Sequence, residues 1–423
     1  MADSDGEHPT LRILTEYFRP EESSTAQLLT ELATGLADEF DVRVATAYPN
    51  YHSDETESSL PAREHQDGVE ITRMRATRFH KDSVPLRVIN WVTFTILACV
   101  HLLKHSDPDD RHLVLSNPPI LPFAAWVTNR IHDIEYTYLI HDMYPDMPIG
   151  LGYLNGDGVI ARSWENAIRA VYRDTDHIVV LGESMKRRLT EKMADDPEFS
   201  PDKIEVIHNW EDEKFVQPMN KSENDFAHKQ GTTDKFTLVY SGNIGRYHDV
   251  GTAIEAIEIL ESRGYDDIQL LVIGEGGRKE EYQRKVSRSN IENVEFLPFQ
   301  PMERLPESLT CGDASLVAID EEMEGICVSS KLYSSLAAGD PVLAIVADGD
   351  EVARVVREYD CGAHATPGSP EEVADILEHW ANNPQEVHRL GQNARECFEQ
   401  NFTKQHALSA YKQHFASTGS VQG

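Results

Sequence analysis

The chain has 423 residues, with 72 Asp and Glu against 39 Lys and Arg and a formal net charge of −33. That length suits two or three domains, each large enough to bury its own core. So acidic a balance argues against nucleic acid as a partner, because phosphate backbones are gripped by clustered Lys and Arg. With 40% hydrophobic and 26% charged residues, the chain also lies outside the disordered class.

The basic residues divide into 25 Arg and 14 Lys. Scarce lysine beside abundant acid fits a cytosol held at very high salt, as in a halophilic archaeon, where screening removes self-repulsion. An ordinary acidic protein is the plainer alternative. Cys99, Cys311, Cys327, Cys361 and Cys397 are scattered without a C-x-x-C, so they read as small buried residues in a reducing compartment. The opening MADSDGEHPT lacks a basic and an apolar region, so no signal peptide is expected and the setting reads as cytoplasmic.

Strand signals begin at Leu11–Thr15, followed by a polar turn and an amphipathic stretch, Leu28–Ala37; Asp41–Ala47 reads as a second strand. Val88–Leu103 is the longest apolar run, interrupted by Asn90 and His101. It falls short of the ~20 residues a spanning helix needs and reads as buried or interfacial. Further strands are expected at His112, Tyr136, His177 and Ile204, with helices from Leu121 and from Glu183. The stretch 211–235 is polar and punctuated and reads as a linker. Strands then resume at Phe236, Ile268, Asn293, Ala314 and Pro341, interleaved with helices from Val250, through Ser287, from Ser330 and from Pro370.

Near-continuously apolar strands alternating with helices indicate parallel sheets buried on both faces. The expected organisation is α/β, two Rossmann-like domains facing across a cleft. The first spans 1–210, the linker 211–235 and the second 236–400, with 401–423 a helix and tail packing back on the first.

Three strand-end turns in the second half carry the chemistry. Ser241-Gly242-Asn243-Ile244-Gly245-Arg246 lets backbone approach a phosphate, and Arg246 adds a bidentate donor. Gly274-Glu275-Gly276 repeats the device after the next strand. Either alone is no more than a tight turn. In the third, Glu324-Gly325 precedes a helix opening on Ser329-Ser330-Lys331. Hydroxyls, amides and one ammonium there suit a diphosphate, and Glu324 suits sugar hydroxyls.

Together these segments resemble the retaining glycosyltransferases of family four, which have the GT-B fold, in a branch with a G-N-[IL]-G-R turn and a P-S-K-L-Y…L-A-A-G-x-P-V helix. The resemblance spans nearly the whole chain. It includes Tyr17-Phe18-Arg19-Pro20-Glu21 with Thr25-Ala26-Gln27, Tyr48-Pro49-Asn50-Tyr51, Ser116-Asn117-Pro118-Pro119, His141-Asp142-Met143-Tyr144-Pro145-Asp146 and Val206-Ile207-His208-Asn209.

The resemblance implies a hexosyltransferase in which Gly242, Asn243, Gly245, Arg246, Ser330 and Lys331 bind the donor diphosphate. It places Gly274 and Glu275 near the nucleoside and Glu324 at the donor sugar. Asp142 and His141 would lie near the acceptor or the reacting carbon. It implies a nucleotide-sugar donor, no cofactor and no required metal. Asp174-Thr175-Asp176 and Asp348-Gly349-Asp350 fit D-x-D, but such triplets arise by chance among so many acids.

The chain departs from the family at four places. The family's first-loop glycines are Glu22, Ser23 and Ser24 here; the proline before Ser-Lys is Ser329; Ser334 stands where a second glutamate usually holds the ribose; and His248 and Asp249 occupy the neighbourhood of a missing lysine. Many relatives extend glycans on polyprenyl or dolichyl lipids. A lipid-linked acceptor is therefore expected, with peripheral membrane contact through Trp91, Phe94 and Trp126, for which core packing is the slightly favoured alternative, or through the basic cluster Arg73, Arg75, Arg78, His80, Lys81 and Arg87. Two other readings keep the same scaffold: a sugar-nucleotide epimerase, and a weakly catalytic partner protein.

Overall fold

The computed structural model describes residues 8–21, 23–49, 60–79 and 83–418. The chain divides into two compact units, Met1–Ile149 with Leu154–His208 and Ala407–Gly423, and Gly150–Tyr153 with Asn209–His406.

The first unit runs β1 Thr10–Leu14, α1 Ser24–Leu36, β2 Asp41–Ala47, β3 Arg63–Gln66, β4 Val69–Met74, α2 Val84–His105, β5 Arg111–Leu115 and α3 Pro122–His132. It continues through β6 Tyr136–Ile140, α4 Asp146–Gly150, α5 Val159–Asp174, β7 His177–Val180, α6 Glu183–Lys192 and β8 Ile204–Val206. Its sheet has the order β3-β4-β2-β1-β5-β6-β7-β8. Among the described residues, only the β3–β4 pair of this sheet is antiparallel. That hairpin turns at Asp67 and Gly68, both at positive φ, the conformation Asp-Gly favours in two-residue loops. Every residue of β6 is buried, which is why YTYLI shows no polar alternation.

The second unit runs α7 Asp225–Gln230, β9 Phe236–Ser241, α8 Val250–Ser262, β10 Ile268–Ile273, α9 Lys279–Ser289, β11 Val294–Leu297, α10 Leu305–Leu309 and β12 Ala314–Ala318. After these come α11 Lys331–Ala338, β13 Val342–Ile345, α12 Glu351–Glu358, β14 Gly362–Ala365, α13 Pro370–Asn382 and α14 Pro384–Asn401; α15 Lys404–Thr418 then leads back into the first unit. The strands are all parallel, in the order β11-β10-β9-β12-β13-β14. Leu238, Tyr240, Leu270, Val272, Leu316 and Leu343 knit the sheet to its helices with at most 1% of each side chain exposed. Such burial is worth about 1.5–3 kcal/mol for an aliphatic side chain.

In each sheet the winding reverses at one place, between β1 and β5 in the first and between β9 and β12 in the second. Loops at the carboxyl ends beside such a reversal form the crevice where α/β sheets take ligands.

Several expectations change. The stretch 211–235 is not bare linker: it folds into the second unit and holds α7. Asn224 caps that helix by accepting from the Phe226 and Ala227 amides at 2.8 and 3.2 Å. The C-terminal helix starts at Lys404, and its Phe415 carbonyl accepts from Arg111 Nε at 2.7 Å. The apolar run at Val88 lies in α2, a helix of 22 residues that is long and apolar enough to cross a membrane. That helix buries only Asn90, Phe94, Ala98 and Leu102. Asn90 fastens it by hydrogen bonds of 2.9 and 3.0 Å to the Phe79 backbone. Val84, Val88, Ile89, Val92, Ile96 and Val100 are exposed.

Phe94 is therefore core rather than interfacial, being 1% exposed. The Trp126 indole donates to Asp174 at 2.9 Å. Arg73 is buried, ion-paired with Glu64 at 2.6 Å, and is no surface cation. Arg75 and Arg78 sit over the Tyr48 ring and Arg87 over Trp91. His80, Lys81, Glu22, Asn50 and Tyr51 lie outside the described residues.

Candidate active site

The turns after β9 and β10 pack backbone on backbone. The Gly242 amide donates to the Ile273 carbonyl at 2.9 Å, and the Ile244 amide to the Glu275 carbonyl at 2.8 Å. Gly242, Gly274 and Gly276 have φ of 136°, 149° and 154°, a region open essentially to glycine. A Cβ on Gly274 would stand 1.9 Å from the Gly242 carbonyl oxygen, and one on Gly276 2.3 Å from that of Ile244. No side chain fits between these loops. The sequence spells glycine there because two main chains touch.

Gly242 also makes room for a cation. A Cβ on it would lie 2.7 Å from Lys331 Cε. Lys331 is the first residue of α11, and its Nζ sits 5.2 Å from the centroid of the Tyr240 ring. Burial brings its ammonium down to about 8, against the opposing pull of Cys327. His248 lies beside it. The ring Nδ1 accepts from the Gly245 amide at 2.9 Å, and Nε2 is 3.2 Å from Lys331 Nζ. Burial first, then Lys331 and Arg278, hold this imidazole well below its usual range, and so neutral. One turn along α11, Ser334 Oγ donates to Glu211 Oε2 at 2.7 Å, so a carboxylate stands beside this serine.

Arg246 is exposed, its guanidinium 5.2 Å from the Tyr153 ring centroid, and among the described residues no carboxylate pairs with it. Asn243 is exposed, and its carbonyl accepts from the Tyr240 hydroxyl at 2.6 Å. Glu275 is ion-paired with Lys279 at 2.7 Å. Glu324 follows a short 3-10 turn, Glu321–Met323, and precedes Gly325 at φ 68°. The Ser330 side chain makes no capping bond to α11. The carboxyl ends of β9, β10 and β12 thus gather Gly242, Asn243, Gly245, Arg246, Gly274, Glu275, Glu324, Ser330, Lys331 and Ser334 in one unit. Two basic side chains, Arg246 and Lys331, with the α11 N-terminus suit an anion such as a diphosphate.

His141 and Asp142 belong to the other unit, at the carboxyl end of β6. Buried Ser116, at the end of β5, accepts from both of their amides at 3.0 and 3.2 Å. Burial pushes the Asp142 carboxyl up to about 6, tempered by a hydrogen bond from Asn117. It lowers His141 to about 4, so the imidazole is neutral near pH 7.

The D-x-D acids are engaged elsewhere. Asp174 accepts from Trp126, and Asp176 from the Tyr136 amide at 3.1 Å. Asp348 pairs with Arg357, and Asp350 caps α12 through the Val352 amide at 2.8 Å. Ser23 caps α1 by accepting from the Ala26 amide at 3.3 Å. Sequence reading gave no role to His248 or Glu211, whose partners Lys331 and Ser334 lie 83 and 123 positions away, and it marked Ser116 only as part of a turn motif.

Residues 221–397 match the family described as "Glycosyl transferases group 1", and residues 25–210 match a "Glycosyl transferase 4-like domain". The probable glycosyltransferase WbjE of Pseudomonas aeruginosa is 24% identical over 334 residues, covering 79% of this chain and 81% of that protein. The chain is a glycosyltransferase. A putative colanic acid biosynthesis glycosyl transferase of Escherichia coli, WcaI, is 25% identical over 47% of this chain and 48% of its own length. Sucrose-phosphate synthase from Thermosynechococcus elongatus superposes with a TM-score of 0.76 at 15% identity, over 97% of this chain and 100% of that one. HepE of Anabaena, solved in complex with UDP-glucose, gives 0.72 at 13% identity over 97% and 100%. At such identity these structures speak to fold alone, and the fold of this glycosyltransferase is GT-B.

Proposed function

We propose that the enzyme is a family-four retaining glycosyltransferase that moves a hexose from a UDP-sugar to a lipid-linked or surface-glycan acceptor. The observation that carries this is Lys331 seated against Gly242, with Arg246 unpaired on the same glycine turn. In a chain of net charge −33, two cations left for a ligand at the carboxyl end of one sheet suit an anionic diphosphate leaving group. The UDP-glucose bound by HepE and the colanic acid assignment of WcaI support the donor and the acceptor class.

In the transfer, the bond from the anomeric carbon to the β-phosphate oxygen breaks and its electron pair leaves on the diphosphate. Arg246, Lys331 and the α11 N-terminus meet that charge, and it needs no metal for this. An acceptor hydroxyl oxygen bonds to the anomeric carbon on the face the diphosphate leaves and passes its proton to the departing phosphate oxygen, which retains configuration. Glu324 accepts from donor-sugar hydroxyls, and the Asp142 carboxylate faces the acceptor with neutral His141 beside it.

The exposed apolar face of α2 would rest on the cytoplasmic surface of the membrane, where a lipid-linked acceptor lies. The test is a radiolabelled nucleotide-sugar panel with lipid extract at molar salt, with and without a chelator. Transfer from a UDP-sugar into lipid, indifferent to chelator, supports the reading; UDP-sugar converted with no acceptor present, or no turnover, contradicts it. Placing Glu at Val88 and Ile96 should end co-sedimentation with vesicles while leaving UDP affinity unchanged, and persistent sedimentation would contradict the membrane assignment.

A further inference from the structure

We infer that His248 is a positioning residue that favours the uncharged amine of Lys331 in the empty site, so that as pH rises a growing share of nucleoside diphosphate binding is accompanied by uptake of a proton at Lys331 Nζ. This rests on the reading that Lys331 meets the diphosphate.

The hydrogen-bond arithmetic leaves one arrangement. The Gly245 amide donates to Nδ1 of His248 at 2.9 Å, so the lone pair on that nitrogen is taken and the neutral ring carries its proton on Nε2. Nε2 lies 3.2 Å from Lys331 Nζ. An ammonium has three donors and no acceptor, so the contact is a hydrogen bond only when the lysine is a free amine accepting from Nε2–H. A protonated ring would lose the Gly245 bond and gain none.

The surroundings agree. His248 is 4% exposed. Its carbonyl accepts from the Tyr282 hydroxyl at 2.8 Å and from Arg278 at 3.4 Å, and Tyr240 lies beneath the lysine. Asp320 stands 3.8 Å from Arg278, Asp249 is engaged with Thr252 at the start of α8, and Cys327 is the neighbour that favours the ammonium. Among the described residues no carboxylate pairs with Lys331. Burial, which brings the lysine to about 8, points the same way. An arriving diphosphate supplies the missing negative charge, and the amine becomes the ammonium that binds it.

Calorimetry of UDP binding to the full chain, in buffer pairs of different ionisation enthalpy, counts the protons taken up. Above pH 8 UDP contributes none, because a terminal phosphate titrates near ~6. Uptake should climb from about 0.1 proton per UDP at pH 7 to about 0.9 at pH 9, the consequence of a midpoint near 8. Lys331→Arg should bind UDP without this uptake, because a guanidinium stays charged. His248→Phe should move the uptake curve up by about one pH unit, since the amine loses its donor.

UDP binding with no pH-dependent uptake overturns the inference, as does full uptake in Lys331→Arg or an unmoved curve in His248→Phe. Absence of UDP binding at every pH instead overturns the donor-site reading beneath it. Should His248→Phe fail to fold, the parent and Lys331→Arg still decide.

Discussion

Asp142→Asn should make the protein more stable and less active, with the gain in stability appearing only as pH rises. Burial lifts this carboxyl from 3.8 to about 6. Each pKa unit is worth about 1.4 kcal/mol, so holding the charge at pH 8 costs the fold about 3 kcal/mol. The folded state binds the proton more tightly than the unfolded chain. The group's contribution is therefore most favourable below pH 3.8 and is lost as pH climbs to about 6, staying flat above. Asparagine never ionises, so the variant should gain up to about 3 kcal/mol at pH 8 but only about 1 kcal/mol at pH 4.5. Turning the Asn117 amide to suit a new partner trims this by about 1 kcal/mol. Denaturant titration at the two pH values reads the difference, and initial rates show whether the charge serves turnover. Equal stability at both pH values, or a variant less stable at pH 8, would refute the reasoning.

Three further perturbations follow from the same geometry. Gly274→Ala sets a Cβ 1.9 Å from the Gly242 carbonyl oxygen and should cost about 3 kcal/mol or more; near-parental melting would contradict the backbone contact. Ser334→Ala and Glu211→Ala each break one 2.7 Å bond, worth about 1.5–3 kcal/mol when charge-assisted, so their effects on UDP affinity should be non-additive in a double-mutant cycle. A net charge of −33 predicts that stability rises from low salt to 2 M KCl, where the Debye length falls below ~3 Å; a flat response would mean that self-repulsion is unimportant.

Much of the fold was legible because parallel strands buried on both faces spell themselves. IQLLVI and YTYLI are nearly continuous apolar runs, and β10 and β6 lie where they fall. What escaped had no such signature. β3 is REHQ, an exposed edge strand with only Glu64 partly covered, and its best clue, Asp67-Gly68, sits in polar sequence. α5, VIARSWENAIRAVYRD, pairs a narrow apolar stripe with charges, and β14 is the short GAHA.

At the site the glycine turns and Ser330-Lys331 were readable because each is a local device. His248 and Glu211 were not, since they act on residues 83 and 123 positions away. Arg73 misled for the opposite reason: its local company is basic, while the carboxylate that neutralises it is on the neighbouring strand.

The central claim is that Arg246 and Lys331 meet the charge of a departing nucleoside diphosphate. The most direct test is kcat/KM for the UDP-sugar in Arg246→Ala and Lys331→Ala, each assayed beside the folded parent. Each should fall about 10²–10³-fold, equivalent to about 2.7–4 kcal/mol of transition-state stabilisation. Turnover within about threefold of the parent in both variants, a difference below ~1 kcal/mol, would contradict it.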